Sequence, residues 1–353
     1  MRIMALVKRI VLQTLKEKRT LALMMVAPLI LLSLVNFLFT SNNTTKLAVG
    51  VYNGSEAFNM ELKASDIKII NYQDAKNIKD KIKNDNLKAF INSTADTLYV
   101  TYENSSPSDS AQIKAKIQGA LVKARIANLT EKLPQQQQGN VAIKSNYVYG
   151  DENLTYFDTL SPILIGFFVF FFVFLISGIS LLKERTTKTL EKLLATPTKR
   201  SEIVAGYLLG YGLFAVLQTI VVVFFSVYVL NIKISGNIFL VLLTNILIAL
   251  IALSFGLLLS TFANSEFQMM QFIPLVVVPQ IFFTGILPVE NMANWLQNLA
   301  HLMPLYYGSQ SLQGIMNKGY VFNDIKFNLL ILLVFASVFS VLNVFGLKRY
   351  RKI

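Results

Sequence analysis

Side chains able to do chemistry are few in this 353-residue chain, and the missing ones narrow the field first. There is one histidine, His301, and no cysteine. Disulfides, thiolate metal sites and Cys nucleophiles are therefore excluded, as is a His-rich metal centre, and any Ser-His-Asp triad would rest on a single imidazole with no partners clustered near it. His301 reads as an interfacial polar residue. The nearest approach to a phosphate-binding loop is Gly314 with Gly319, which continues into Tyr320 where the loop needs Lys, so no nucleotide site is expected in this chain. No carboxylate lies deep in a long apolar run, which weighs against a proton- or sodium-coupled carrier. The polar groups that do lie there are Asn36, Gln218, Asn245, Gln271 and Gln280. Such amides suit interhelical hydrogen bonding, and Gln218, Asn245, Gln271 and Gln280 are also candidates for a substrate path.

Charge concentrates in Lys183 to Gly206, K-E-R-T-T-K-T-L-E-K-L-L-A-T-P-T-K-R-S-E-I-V-A-G, an island between two apolar runs. Leu190, Leu193 and Leu194 share one helical face, Lys188, Glu191 and Lys192 surround it, and Pro197 ends the pattern. From the residues alone the island is either a short amphipathic helix on a membrane surface or a solvated loop whose charges fix topology.

The elements that must position these groups follow from hydropathy. At 54% hydrophobic and 15% charged, with mean hydropathy +0.51, the chain is too apolar for an ordinary soluble protein. Six charge-free runs reach the roughly 20 residues that cross a bilayer: 21–45, 159–182, 203–232, 234–265, 267–289 and 327–347. The first is too long for a signal-peptide core and lacks a small-x-small site after it, so it reads as an uncleaved span. Before it, Ile3, Leu6, Val7, Ile10 and Val11 share a face of an interfacial helix, residues 1–20, on the inner leaflet. The Phe-rich stretch Phe167 to Phe174 suits packing against lipid or a second copy, or a bulky apolar substrate, and Gly206 and Gly210 have the spacing that permits close helix approach.

Residues 46–158 change to the composition of a soluble domain. Leu47–Tyr52, Ile67–Tyr72, Leu87–Ile91 and Leu98–Tyr102 read as strands, Ala75–Lys83 and Asp109–Leu133 as helices, and Val141–Tyr149 as a returning strand after a loop at Pro134 to Gln138. A segment of this length can bury its own core, giving an inserted α/β domain. Residues 290–326 lie between the last two spans. Asn291, Asn294, Gln297, Asn298, Gln310 and Gln313 make a poor lipid-facing helix and Pro304 interrupts it, so two short re-entrant or surface helices are expected. With six spans, segments 1–20, 183–202 and 348–353 share one side with Glu266. They hold 16 of the 33 Lys and Arg but only 5 of the 20 Asp and Glu, which places both termini in the cytoplasm and the inserted domain outside. The net charge of +13 thus reports orientation and contact with anionic membrane lipid, not nucleic acid.

Two stretches resemble the ABC-2 type permeases, the membrane subunits of a large class of ABC transporters. Glu184, Arg185, Thr189, Glu191, Leu193, Leu194, Thr196 and Pro197 are similar to that family's cytoplasmic coupling segment, with Lys188 standing where the family often has Gly. Phe283, Gly285, Pro288, Trp295, Pro304 and Tyr306 are similar to its region between the last two spans. The resemblance implies a polytopic α-helical membrane protein with six transmembrane helices and an inserted extracellular α/β domain, acting as the permease of an exporter in a bacterial plasma membrane. It implies a second permease subunit, identical or not, and two ABC ATPase subunits that carry the ATP and Mg, while this chain binds no cofactor and catalyses nothing. It also places the Leu190, Leu193 and Leu194 face in a cleft of the ATPase, with Glu184, Arg185 and Glu191 at the rim. The competing class is a non-transporting receptor or scaffold with a ligand-binding outer domain. Cysteines introduced at Ser108 and Asn317 should react with an impermeant thiol reagent in intact cells while one at Lys188 stays unlabelled; labelling at Lys188 alone would invert the topology.

Overall fold

A computed structural model of the chain describes residues 2–40, 47–65, 67–94, 97–103, 113–124, 156–287, 289 and 292–347. The expected strand at 141–149, the loop at 134–138, the basic tail, Pro288 and Asn291 lie outside them. The chain divides into two units, residues 42–145 and the remainder.

In the larger unit, α1 (Arg2–Lys16) and α2 (Lys18–Thr40) meet at Glu17. After the smaller unit come α6 (Tyr156–Thr186), the short α7 (Thr189–Leu194), α8 (Arg200–Tyr228), α9 (Ile238–Ser260), α10 (Glu266–Ile281) with a π turn (Phe282–Ile286), α11 (Asn294–Ala300), α12 (Pro304–Lys318) and α13 (Phe322–Gly346). Six of these, α2, α6, α8, α9, α10 with its π turn, and α13, are long and apolar enough to cross a membrane. Their ends are set by caps, not by the edges of the charge-free runs. Asn237 starts α9 by accepting the Phe239 N–H at 2.8 Å, and Ser265 starts α10 by accepting that of Gln268. α6 instead runs on through Lys183, Glu184 and Arg185, residues of good helix propensity.

α6 is the hub. Of its most apolar stretch 72% is buried within the chain, against 17% in α2 and in α13. Its most extensive partner is α9, and the two backbones meet at glycines: a Cβ on Gly256 would lie 2.6 Å from the Phe174 carbonyl oxygen. Phe170 and Phe174 are fully buried there, and Phe174, Phe255 and Phe339 form a ring series from α6 through α9 to α13, with Phe255 and Phe339 stacked at 4.6 Å. Most of the Phe-rich stretch is therefore core. Phe168, Phe170, Phe172 and Phe174 do not face lipid or a second copy, because the bundle buries them on both sides of α6.

The amphipathic face of α1 also differs from its expected place on the leaflet. Leu6, Val7 and Ile10 are buried, and Leu6 and Ile10 sit on Gly206 and Gly210 of α8, where a Cβ would approach each within 2.9 Å. The small-residue spacing thus serves α1. Met4, Leu12 and Leu15 form the apolar surface that remains exposed on that helix.

The smaller unit is built on a four-stranded sheet, β1 (Leu47–Tyr52), β2 (Ile67–Asn71), β3 (Ala89–Ser93) and β4 (Leu98–Tyr102), in the order β2-β1-β3-β4. β1 pairs parallel with both β2 and β3, and β4 closes the edge antiparallel to β3. Alternation along β1 sends Val49 and Val51 to a face covered by α3 (Glu56–Ala64) and α5 (113–124), and Ala48 and Tyr52 to the face holding Ile82 of α4 (Ile78–Asn84). Tyr72 donates to Asp85 at the end of α4; partial burial, then that carboxylate, pushes its hydroxyl up to about 12. α3 is one of the charged stretches between strands, and it buries Phe58 and Leu62.

Gly210→Val should crowd Ile10 and destabilise the chain by about 1–3 kcal/mol, the usual cost of overpacking. Gly212→Ala, whose Cβ would lie 3.8 Å from Leu253, should change little. Equal thermal unfolding of the two variants in one detergent would show that α1 is not seated on that groove.

Candidate functional site

The charged island folds as a tight elbow between α6 and α8. Thr187 Oγ1 donates to the Lys183 carbonyl at 2.9 Å and the Lys188 N–H donates to that of Arg185, which finishes α6. Lys188 then takes the left-handed conformation at φ 57°, so that α7 leaves in a new direction. A non-glycine residue there costs about 1 kcal/mol or more, which accounts physically for a Gly at that place in the resembling segment. Thr196 Oγ1 donates to the Leu193 carbonyl at 2.6 Å, Pro197 follows, and the Lys199 N–H donates to Glu202 as α8 begins.

The structure corrects the roles expected of the elbow's apolar face and two of its charges. Leu190 and Leu194 are buried, 1% and 6% exposed, in the hydrophobic core shared with α6 and α8, and so cannot fill another protein's cleft; Leu193 is half-buried. Glu184 is 1% exposed and not at a rim. Its carboxylate pairs with Arg9 of α1 at 2.9 Å and accepts a hydrogen bond from the Tyr207 hydroxyl of α8. Arg185 is turned inward too, donating to the Ala263 carbonyl at 2.8 Å and to that of Ser260, where α9 ends and cationic donors are favoured. Lys183 pairs with Glu17 at 2.7 Å, and Arg2 donates to the Pro197 carbonyl at 2.6 Å. The elbow's exposed residues include Thr186 to Lys188, Glu191, Lys192, the turn Ala195 to Pro197 and Lys199, with Thr189 half-buried. Beside Glu191 lies a cavity of 180 Å³ lined by Leu182, Arg185, Leu190, Leu194 and Asn264.

Arg2, Arg9, Glu17 and Tyr207 carry this site without having been read as part of it. Arg9 had one sequence signal, a cation beside the apolar stripe of α1, but its partner lies 175 positions away and only the fold joins them.

The four amides proposed for a substrate path differ in setting. Gln280 holds α12: its Oε1 accepts the Leu305 N–H at 3.1 Å and its Nε2 reaches Met303 Sδ. Asn245 Nδ2 donates back to the Val241 carbonyl, and Gln271 is exposed on α10. Gln218 is fully buried and makes no hydrogen bond among the described residues.

The second motif folds around the π turn that ends α10, after Pro274 and Pro279. Gly285 sits at φ 93°, a conformation few other residues adopt, and a Cβ there would also press within 3.0 Å of Gln313 Nε2. Pro304 occupies the first turn of α12, where its missing N–H costs nothing, so it opens a helix instead of interrupting one. Tyr306 packs with Phe283, Val289 and Ala300, whereas Trp295 is 67% exposed on α11. Tyr307 donates to the His301 carbonyl at 3.1 Å, and burial pushes its hydroxyl up; the His301 ring meets Tyr306 edge-on at 5.2 Å.

Six apolar helices joined through a clamped charged elbow define a polytopic membrane protein. The chain belongs to the ABC-2 family of transporter proteins, whose profile matches residues 18–345. It is 29% identical over 199 residues to the probable multidrug ABC transporter permease YbhR of Escherichia coli, covering 56% of this chain and 53% of that one. It is 28% identical over 190 residues to ABC transporter G family member 20 of Dictyostelium discoideum, covering 52% and 26%, and 28% identical over 179 residues to the inner membrane transport permease YhhJ of E. coli, covering 50% and 47%. The match thus spans about half, or less, of each relative's length.

Removing either partner from the Arg9–Glu184 pair should destabilise the chain, and a double-mutant cycle of Arg9→Met with Glu184→Gln should give a coupling of about 2–3 kcal/mol, below the range of a fully buried pair because Arg9 is partly exposed. Additive effects within about 0.5 kcal/mol would mean that the two charges do not sense each other.

Proposed function

We propose that this chain is the membrane-spanning permease of an ATP-driven exporter, with both termini and the elbow in the cytoplasm of a bacterial cell and the sheet unit outside. ATP and Mg belong to two partner ATPase subunits, and a second permease subunit completes the assembly. One observation carries the coupling role: α7 is a short helix with a charged outer face whose apolar face is locked into its own bundle. Glu191 and Lys192 meet the ATPase, and Leu190 and Leu194 pass its displacement to α6 and α8. Arg185, bonded to the end of α9, adds a third span to the body that moves. A helix anchored in this way is a lever, whereas a loop held only by solvent would absorb the push. The positive-inside bias supports the orientation. The relatives named as permeases support transport, and the family supports an ABC ATPase as the source of energy.

The exposed face supplies the test. Glu191→Lys with Lys192→Glu reverses both outward charges without touching the buried leucines, so insertion and folding should persist. Copurification of the ATP-binding subunit should fall by about tenfold or more, the effect of losing about 1.4 kcal/mol of binding, and export with it. Leu190→Asp with Leu194→Asp would instead bury charge in the chain's own core and report on folding. An unaltered ATPase yield and unaltered export from the charge-reversed variant, or a wild-type chain that never brings down an ATPase, would sink the reading.

A further inference from the structure

A cavity of 520 Å³ opens between the π turn, α12 and the first turns of α13, and the coupling role makes no use of it. Its size falls in the range of small-molecule sites. Helix caps build its walls. α12 ends in a left-handed αL cap, with Gly319 at φ 70° donating to the Ile315 carbonyl and the Tyr320 N–H donating to that of Gly314 at 3.0 Å. The turn lays the Tyr320 ring directly over Gly314, and the Lys318 ammonium stands 5.7 Å from the ring centroid. Asp324, in the same lining, accepts the Val321 N–H at 3.0 Å and so opens α13. Gln313, held by its bond to the Thr284 carbonyl, and Asn328 lie in the same wall.

Lys318 and Asp324 both line this cavity, yet among the described residues no ion pair joins them. Two opposite charges in one lining that do not pair with each other, with amides beside them, favour a ligand whose own charges are separated. A lone anion gains at Lys318 and is repelled at Asp324, and a lone cation meets the reverse. We infer that the cavity binds a zwitterionic group of the phosphoethanolamine class, its phosphate at Lys318 and its ammonium at Asp324, carried either as a free small molecule or as a phospholipid headgroup. The inference does not depend on the export reading.

Two arms on the full chain in detergent test it. The first is calorimetric titration with phosphoethanolamine, and with inorganic phosphate and ethanolamine separately. The second is native mass spectrometry after adding phosphatidylethanolamine or phosphatidylglycerol. Lys318→Met keeps the side-chain stem and Asp324→Asn keeps an oxygen for the Val321 cap, so each removes a charge with the wall in place. Binding of phosphoethanolamine that weakens about tenfold or more in each variant supports a free ligand. Selective retention of phosphatidylethanolamine, lost in both variants, supports the headgroup. Phosphate or ethanolamine alone binding as tightly as the joined molecule, equal retention of the two lipids, no binding in either arm, or binding indifferent to both substitutions would each overturn the proposal. Should Asp324→Asn lower the melting temperature, Lys318→Met decides.

Discussion

A carboxylate stripped of water at the end of a long apolar helix imposes the strictest local demand in this chain. Glu184 is 1% exposed, and a buried charge without compensation is too costly for the fold to keep. Its partners come from two other helices, Arg9 from α1 and the Tyr207 hydroxyl from α8. α1 must therefore lie across α6 and α8 at one rotation and one height, and the Gly206 to Gly210 groove permits that only because Leu6 and Ile10 can drop onto bare backbone. Electrostatics and packing select the same pose. Neighbouring bonds of lower individual value, Lys183 to Glu17 and Arg2 to the Pro197 carbonyl, then hold the two ends of α1.

The elbow inherits its rigidity from this arrangement. Arg185 follows Glu184 on the same turn but points to the carbonyls that end α9, so adjacent charges on α6 tie it to different helices. α7 then has little freedom left: its entry is fixed by the left-handed Lys188, and its exit by Thr196 and by the bond from Arg2 to Pro197. The leucines between them complete the attachment.

Spans are legible in sequence because the bilayer sets their length and excludes charge, and each of the six apolar runs overlaps one of the six long apolar helices. The strands β1 and β4 are legible for a similar reason, a local alternation that the sheet preserves. The elbow's helix is legible from leucine spacing, but what covers those leucines is not: an amphipathic face states that something apolar lies opposite and leaves open whether it is the same chain, a partner or lipid. α1 and the Phe-rich stretch of α6 are misplaced on the same ground. The Arg9–Glu184 pair is a contact between distant positions, and a single sequence contains no pattern that couples them.

The two ends of the bundle differ in the way they are held. Near Glu184 the helices are joined by charge-assisted bonds between side chains of α1, α6 and α8, interactions that fix direction as well as distance. Around the π turn the joints are backbone caps and glycines: Gly285 at positive φ, the Gln280 amide on the start of α12, the Gln313 amide on the Thr284 carbonyl. α10, which carries Pro274 and Pro279 into that turn, gives up two intrahelical hydrogen bonds and buries only 33% of its apolar stretch. A displacement applied at α7 would enter through the stiff end and travel along α6, the most buried helix, to its packing against α12. Any bending would then favour α10 and the π turn over a packed pair such as α6 and α9, which is in backbone contact at Gly256, because a helix already missing part of its ladder bends more readily.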